Sequence, residues 1–142
     1  MRIVEYPLPV TRRPGRRPRP GSVVSGSCHD GRMTETTQIE AGCDIATLIN
    51  VFTVAPERQA ELVAMLTRAT EETMKGRPGF ISANIHAGAD GERVVNYAQW
   101  ESEEHFRAML ADPVAREHMT QAAGIAESFD PRLFSVESVH HV

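Results

Sequence analysis

Residues 80–101 read FISANIHAGADGERVVNYAQWE, and this stretch decides the fold. Its two ends, 80–87 and 92–101, are rich in β-branched and aromatic side chains, the composition of strands on a half-buried sheet. Between them GADG at 88–91 supplies residues that accept positive φ, as a tight hairpin requires. Two strands joined across so short a loop must run antiparallel.

Toward the N-terminus, GRPG at 76–79 stops a helix. That helix opens at Pro56 and Glu57, proline being pre-set for a first helical turn, and runs to about Lys75. Leu62, Val63, Leu66, Ala69 and Thr73 are spaced to form its buried face. TLINVFTV at 47–54 is β-branched and too short for a buried helix, which predicts the first strand. Toward the C-terminus, Ser102 is placed to cap a second helix, with Glu103 and Glu104 favourable at its positive end. Pro113 breaks or restarts that helix, which continues through His118 to about Ala126, and 133–140 supplies a fourth strand. The order β-α-β-β-α-β predicts an α+β, ferredoxin-like fold of two split βαβ halves.

Alternate residues of a strand face opposite sides. In the third strand Val94, Asn96, Ala98 and Trp100 share one face, and Val95, Tyr97 and Gln99 the other. The same parity divides the second strand into Phe80, Ser82, Asn84 and His86 against Ile81, Ala83 and Ile85. Both faces carry apolar groups, yet two helices cover only one. A second copy of the sheet is the economical cover for the other, so a homodimer is expected.

The 142-residue chain has a formal charge of −4, which conceals a division. Residues 1–32 carry seven Arg against two acidic groups, a net of +5, while the remaining 110 residues carry 8 basic and 17 acidic groups, a net of −9. Residues 1–32, with TRRPGRRPRPG at 11–21, have almost nothing apolar to bury and are expected to be a disordered basic tail or to lie upstream of a true start at Met33. Residues 33–46 form a polar lead-in and 47–142 the folded domain. No apolar run of signal-peptide length follows Arg12 and Arg13, so a cytoplasmic protein is expected, with no membrane partner. The acidic body excludes nucleic acid as a partner, because phosphate binding needs clustered cations. Cys28 and Cys43 form no CxxC and have no neighbours in zinc-ligand spacing, so no metal site is expected.

VVNYAQWES at 94–102, PGF at 78–80 and His86 with its hairpin closely resemble motifs of the antibiotic biosynthesis monooxygenase family. More narrowly they resemble the small quinone-forming oxygenases of aromatic polyketide pathways, of the actinorhodin and nogalamycin type. The resemblance covers roughly residues 45–140. It implies two ferredoxin-like units joined as a dimeric α/β barrel, each with a pocket between sheet and helices. It further implies that an anthrone-like aromatic polyketide is oxidised to a quinone with O2 as co-substrate and no cofactor. The matching catalytic positions are Asn50 on the first strand, Asn96 and Trp100 on the third, and His86, with Phe52, Phe106 and His118 expected to bind substrate.

Chemistry suits these residue types. A deprotonated anthrone is electron-rich enough to pass an electron to O2 unaided, leaving the protein to stabilise the oxyanion and exclude water. Asparagine amides donate hydrogen bonds without titrating. Trp100 offers an indole face for a polycycle and an N–H donor, and a histidine such as His86 can relay a proton. Phe106 stands where the actinorhodin type carries a tyrosine, and the pocket arginine of that type has no counterpart. Phenol-mediated proton transfer is therefore not expected.

Two rivals share the fold. Haem-degrading monooxygenases use an asparagine, a tryptophan and a helix histidine, a set that Asn50, Trp100 and His118 could form with His118 on the iron. A dimer that binds a small molecule without turning it over is the other, since fold alone does not establish catalysis.

Overall fold

The computed structural model describes residues 35–142, so the expectations for 1–32 fall outside the described residues. Strand β1 (Ala46–Thr53) leads, through a 3-10 turn at Pro56–Arg58, into helix α1 (Gln59–Ala69), which ends in a π turn over Thr70–Met74. The hairpin follows as β2 (Phe80–Ala87) and β3 (Arg93–Trp100), then α2 (Glu103–Ala111), α3 (Pro113–Ile125) and β4 (Ser128–Phe134). The strands form one sheet in the order β2-β3-β1-β4, and each neighbouring pair is antiparallel. This is the expected α+β ferredoxin-like arrangement, with its second helix divided in two.

Local chemistry explains the punctuation. Gly91 takes the positive φ of the hairpin, 76°, while the amide of Gly88 bonds to the carbonyl of Arg93. Ser102 caps α2 by accepting from the amide of His105. Asp112 does the same for α3, accepting from the amide of Ala115 at 3.0 Å, and Pro113 sits where a missing N–H matters least. Pro113 thus restarts the helix. Gly79 has φ of 80°, and a Cβ there would come within 2.2 Å of the His105 ring, so only glycine fits the approach to β2.

The fourth strand differs from its expected place. It occupies Ser128–Phe134, and residues 135–142 form no strand. Pro131 lies inside β4, paired with Asn50, which an edge strand tolerates because half of its backbone groups face no partner. The parity expected for β2 also changes. A bulge between Phe80 and Ser82 makes Phe80 pair with Trp100, Ala83 with Ala98 and Ile85 with Asn96. Phe80, Ala83 and Ile85 therefore face the helices, and Ser82, Asn84 and His86 face away.

The helices cover one face of the sheet in two separate apolar clusters. One gathers Phe52, Val54, Leu62, Met65, Ala69, Val94 and Ala122, and the other Leu48, Ala98, Trp100, Phe106, Met109 and Ala115. No helix among the described residues is long and apolar enough to cross a membrane.

Candidate active site

What divides the two clusters is polar. On the helix-facing side, Leu48 pairs with Ala98 and Phe52 with Val94, each pair belonging to a different cluster, and the row between them is Asn50 opposite Asn96. Ile85 and Pro131 complete that row across the sheet. Directly opposed side chains on antiparallel strands stand about 5 Å apart at Cβ, so the two amides form one polar patch.

Five buried side-chain polar atoms among the described residues lack a hydrogen-bond partner: Thr47 Oγ1, Asn50 Oδ1, Asn96 Oδ1, Trp100 Nε1 and His118 Nδ1. Four of the five come from residues that the sequence singled out, and Thr47 alone lies on the other face. Each orphaned group costs about 1–3 kcal/mol. Native proteins satisfy nearly all such groups, so four exceptions on the helix-covered side of the sheet mark where a polar ligand belongs.

Helical spacing turns His118 toward the same side of the sheet. It lies on α3 between Ala115 of one cluster and Ala122 of the other, three and four residues away and so on the same helix face. Its Nε2 is 2.8 Å from Thr73 Oγ1. Thr73 belongs to the π turn, in which the amide of Lys75 reaches back to the carbonyl of Thr70, and such one-residue insertions recur at functional sites. The sequence offers no pointer to this pair: Thr73 counts only as one more residue on an amphipathic face, 45 positions from its partner.

The other expected residues divide. Trp100 is 2% exposed and its ring packs edge-on against Phe80 at 5.5 Å and tilted against Phe106 at 6.2 Å. Those contacts leave the indole N–H, rather than a bare ring face, as the group on offer. Phe52 adjoins Asn50 on the same face, whereas Phe106 backs the indole from α2. His86 is not brought to the patch. The β2 bulge sends it to the opposite face, where it is exposed and its Nδ1 contacts the carbonyl of Asn84.

That opposite face carries an open depression of about 450 Å³ lined by Thr37, Ile39, Asn84, Ile85, His86 and Tyr97. Asn84 there already has partners: it donates to the Tyr97 carbonyl and to Ser82, and accepts from Thr37. Gln99, 1% exposed, bonds to Ser82 and to the Gln38 carbonyl, tying the lead-in segment across the sheet. The unsatisfied groups, not this depression, identify the candidate site.

Among the described residues no three His, Cys, Asp or Glu side chains are grouped to hold a metal ion. His118, the residue that a haem reading would place on the iron, has its Nε2 engaged by Thr73 Oγ1 at 2.8 Å.

Residues 45–121, more than half of the chain, match the antibiotic biosynthesis monooxygenase family. The chain belongs to this family. Tetracenomycin-F1 monooxygenase of Streptomyces glaucescens is 51% identical over 83 residues, which cover 58% of this chain and 74% of that one. Among solved structures, a mutant of SnoaB, a cofactor-independent oxygenase from Streptomyces nogalater, superposes with a TM-score of 0.61 at 27% identity, covering 68% of this chain and 97% of that one. The ActVA-Orf6 monooxygenase of Streptomyces coelicolor, in complex with nanaomycin D, gives 0.63 at 29% identity over 70% and 93% of the two chains. This member of the family is accordingly a monooxygenase, and its polar row lies in the fold that these oxygenases share.

Proposed function

We propose that the protein is a cofactor-independent oxygenase that converts an anthrone-like aromatic polyketide to its quinone with O2. The observation that carries this reading is the row of Asn50 and Asn96 between two apolar clusters, with the unpartnered Trp100 Nε1 further along the same face of β3 and the unpartnered His118 Nδ1 on the helix that packs over that face. A flat ring bearing phenol and carbonyl oxygens meets both demands, apolar above and below and polar at its edge. Kinship to tetracenomycin-F1 monooxygenase, to the cofactor-independent SnoaB and to ActVA-Orf6, whose ligand is nanaomycin D, supports the substrate class and the absence of a cofactor.

In this reading Asn50 and Asn96 hold the substrate oxygens. An amide turned by 180° exchanges donor and acceptor without changing shape, so the pair can meet a phenol and then donate to the enolate that replaces it. Such preorganised donors stabilise the developing oxyanion in a water-poor site. Trp100 Nε1 donates to the reduced oxygen, and Phe52 packs on the ring. The working unit is a homodimer, supported by the half-buried Ile49, Val51, Val95 and Tyr97 on the sheet face that no helix covers.

The test is O2 uptake by purified, chelator-treated protein with emodin anthrone, followed by chromatography of the product. Uptake with stoichiometric quinone supports the reading. Uptake at the no-enzyme rate would overturn it in favour of a binding protein.

A further inference from the structure

Quinone formation needs a group that moves protons, and the chain has no tyrosine at the position of Phe106 and keeps His86 on the wrong face. We propose that His118, oriented by Thr73, is that group: its Nδ1 takes the proton from the substrate ring carbon and later returns it to the bound oxygen. This inference rests on the substrate class proposed above and adds the residue that executes the proton steps.

Two observations carry it. The first is the bond between His118 Nε2 and Thr73 Oγ1 at 2.8 Å. The hydroxyl oxygen can accept from Nε2–H, which leaves the lone pair on Nδ1. An imidazole held in one tautomer by a second group is the arrangement of a general base, with Thr73 as the positioning residue. The second is that Nδ1 is buried and unpartnered, on the helix face that runs over the Asn50–Asn96 row.

The steps balance. Nδ1 removes one of the two ring methylene protons, and the carbanion, delocalised onto the oxygen held by the asparagines, gives an electron to O2. Recombination of the two radicals forms the C–O bond of a peroxide anion. The His118 imidazolium protonates its outer oxygen, giving a hydroperoxide and restoring neutral imidazole. Nδ1 then takes the second methylene proton as the O–O bond breaks; the C–H electron pair becomes the new C=O, and the departing hydroxide takes the proton and leaves as water. The sum is one methylene and one O2 to one carbonyl and one water.

The decisive experiment combines steady-state O2 uptake on emodin anthrone with side-chain 15N NMR of the full chain. His118→Gln is expected to lower kcat by a factor of about 100 or more, the usual yield of acid–base catalysis, with KM and Tm little changed. Added imidazole is expected to restore part of the rate to His118→Gly. Thr73→Val is expected to lower kcat about tenfold, by the loss of one orienting bond, and Thr73→Ser to recover it. In the spectrum the wild type should carry its proton on Nε2, and Thr73→Val should mix the tautomers. An active wild type whose His118→Gln variant keeps its kcat would sink this inference alone, as would a wild-type spectrum with the proton on Nδ1. An inactive wild type would sink the proposed function and this step together.

Discussion

One sheet presents two faces built on opposite terms. Toward the helices, apolar rows flank a polar row whose Oδ1 atoms find no partner within the described residues. On the outer face, Ser82, Asn84 and Gln99 are satisfied, bonding to one another's strands and to the lead-in segment, and Thr47 Oγ1 is the one buried exception among the described residues. A satisfied network rigidifies and is finished. An unsatisfied one destabilises the protein until something binds, which is how a fold of this size can tolerate a site at all.

The sharpest way to break that comparison is to make the inner row apolar. Asn50→Leu combined with Asn96→Leu should reduce anthrone oxidation by a factor of about 100 or more, the measured effect of losing oxyanion donors in other enzymes. The melting temperature should hold or rise, because buried groups without partners are removed. A large fall in Tm with activity retained would reverse the roles given to the two faces. Next in size is the outer face itself. Val95→Arg puts a charge among the apolar groups that no helix covers, and should convert a dimer to a monomer by light scattering; a monomeric wild type would defeat the interface reading.

Smaller effects separate scaffold from site. The backbone amide of Ala115, and then Arg77, holds the Asp112 carboxyl below its ordinary value. A lowered folded-state value means that the carboxylate stabilises the fold fully above the ordinary aspartate range, about 3.9, and that this stabilisation disappears as pH falls through the lower folded value. Asp112→Ala should therefore lower Tm at neutral pH, with the gap to wild type closing in acid, measured by calorimetry across a pH series. The smallest effect belongs to His86. His86→Ala should leave kcat/KM within about twofold, as for other surface substitutions, because the residue lies across the sheet from the amides.

Much of this molecule is visible in one dimension because its determinants are local. Strand composition and the GADG turn place β2 at its observed bounds, and Ser102 announces its helix through a bond spanning three residues. Parity puts Asn96 and Trp100 on one face of β3, and no bulge disturbs that strand's pairing with β1, so Asn50 falls opposite Asn96. Elsewhere one residue changes the answer. The bulge beside Ile81 reverses everything after it in β2 relative to Phe80, so His86, which the family resemblance puts in the site, lies on the face away from the asparagines. Pro131 similarly hides β4, since proline argues against a strand unless the strand is known to be at an edge.

By itself the sequence determined the β-α-β-β-α-β order, the Ser102 cap and the GADG turn, and its motif resemblance singled out the two asparagines and the tryptophan. These rest on periodicity, composition and motif, each confined to a few neighbouring residues. Only the tertiary structure decided which face of β2 joins the site, that the apolar core is split by a polar row, and that Thr73 holds His118 from 45 positions away. Those facts depend on strand register and helix docking, which are fixed by long-range packing and leave no local trace in the chain.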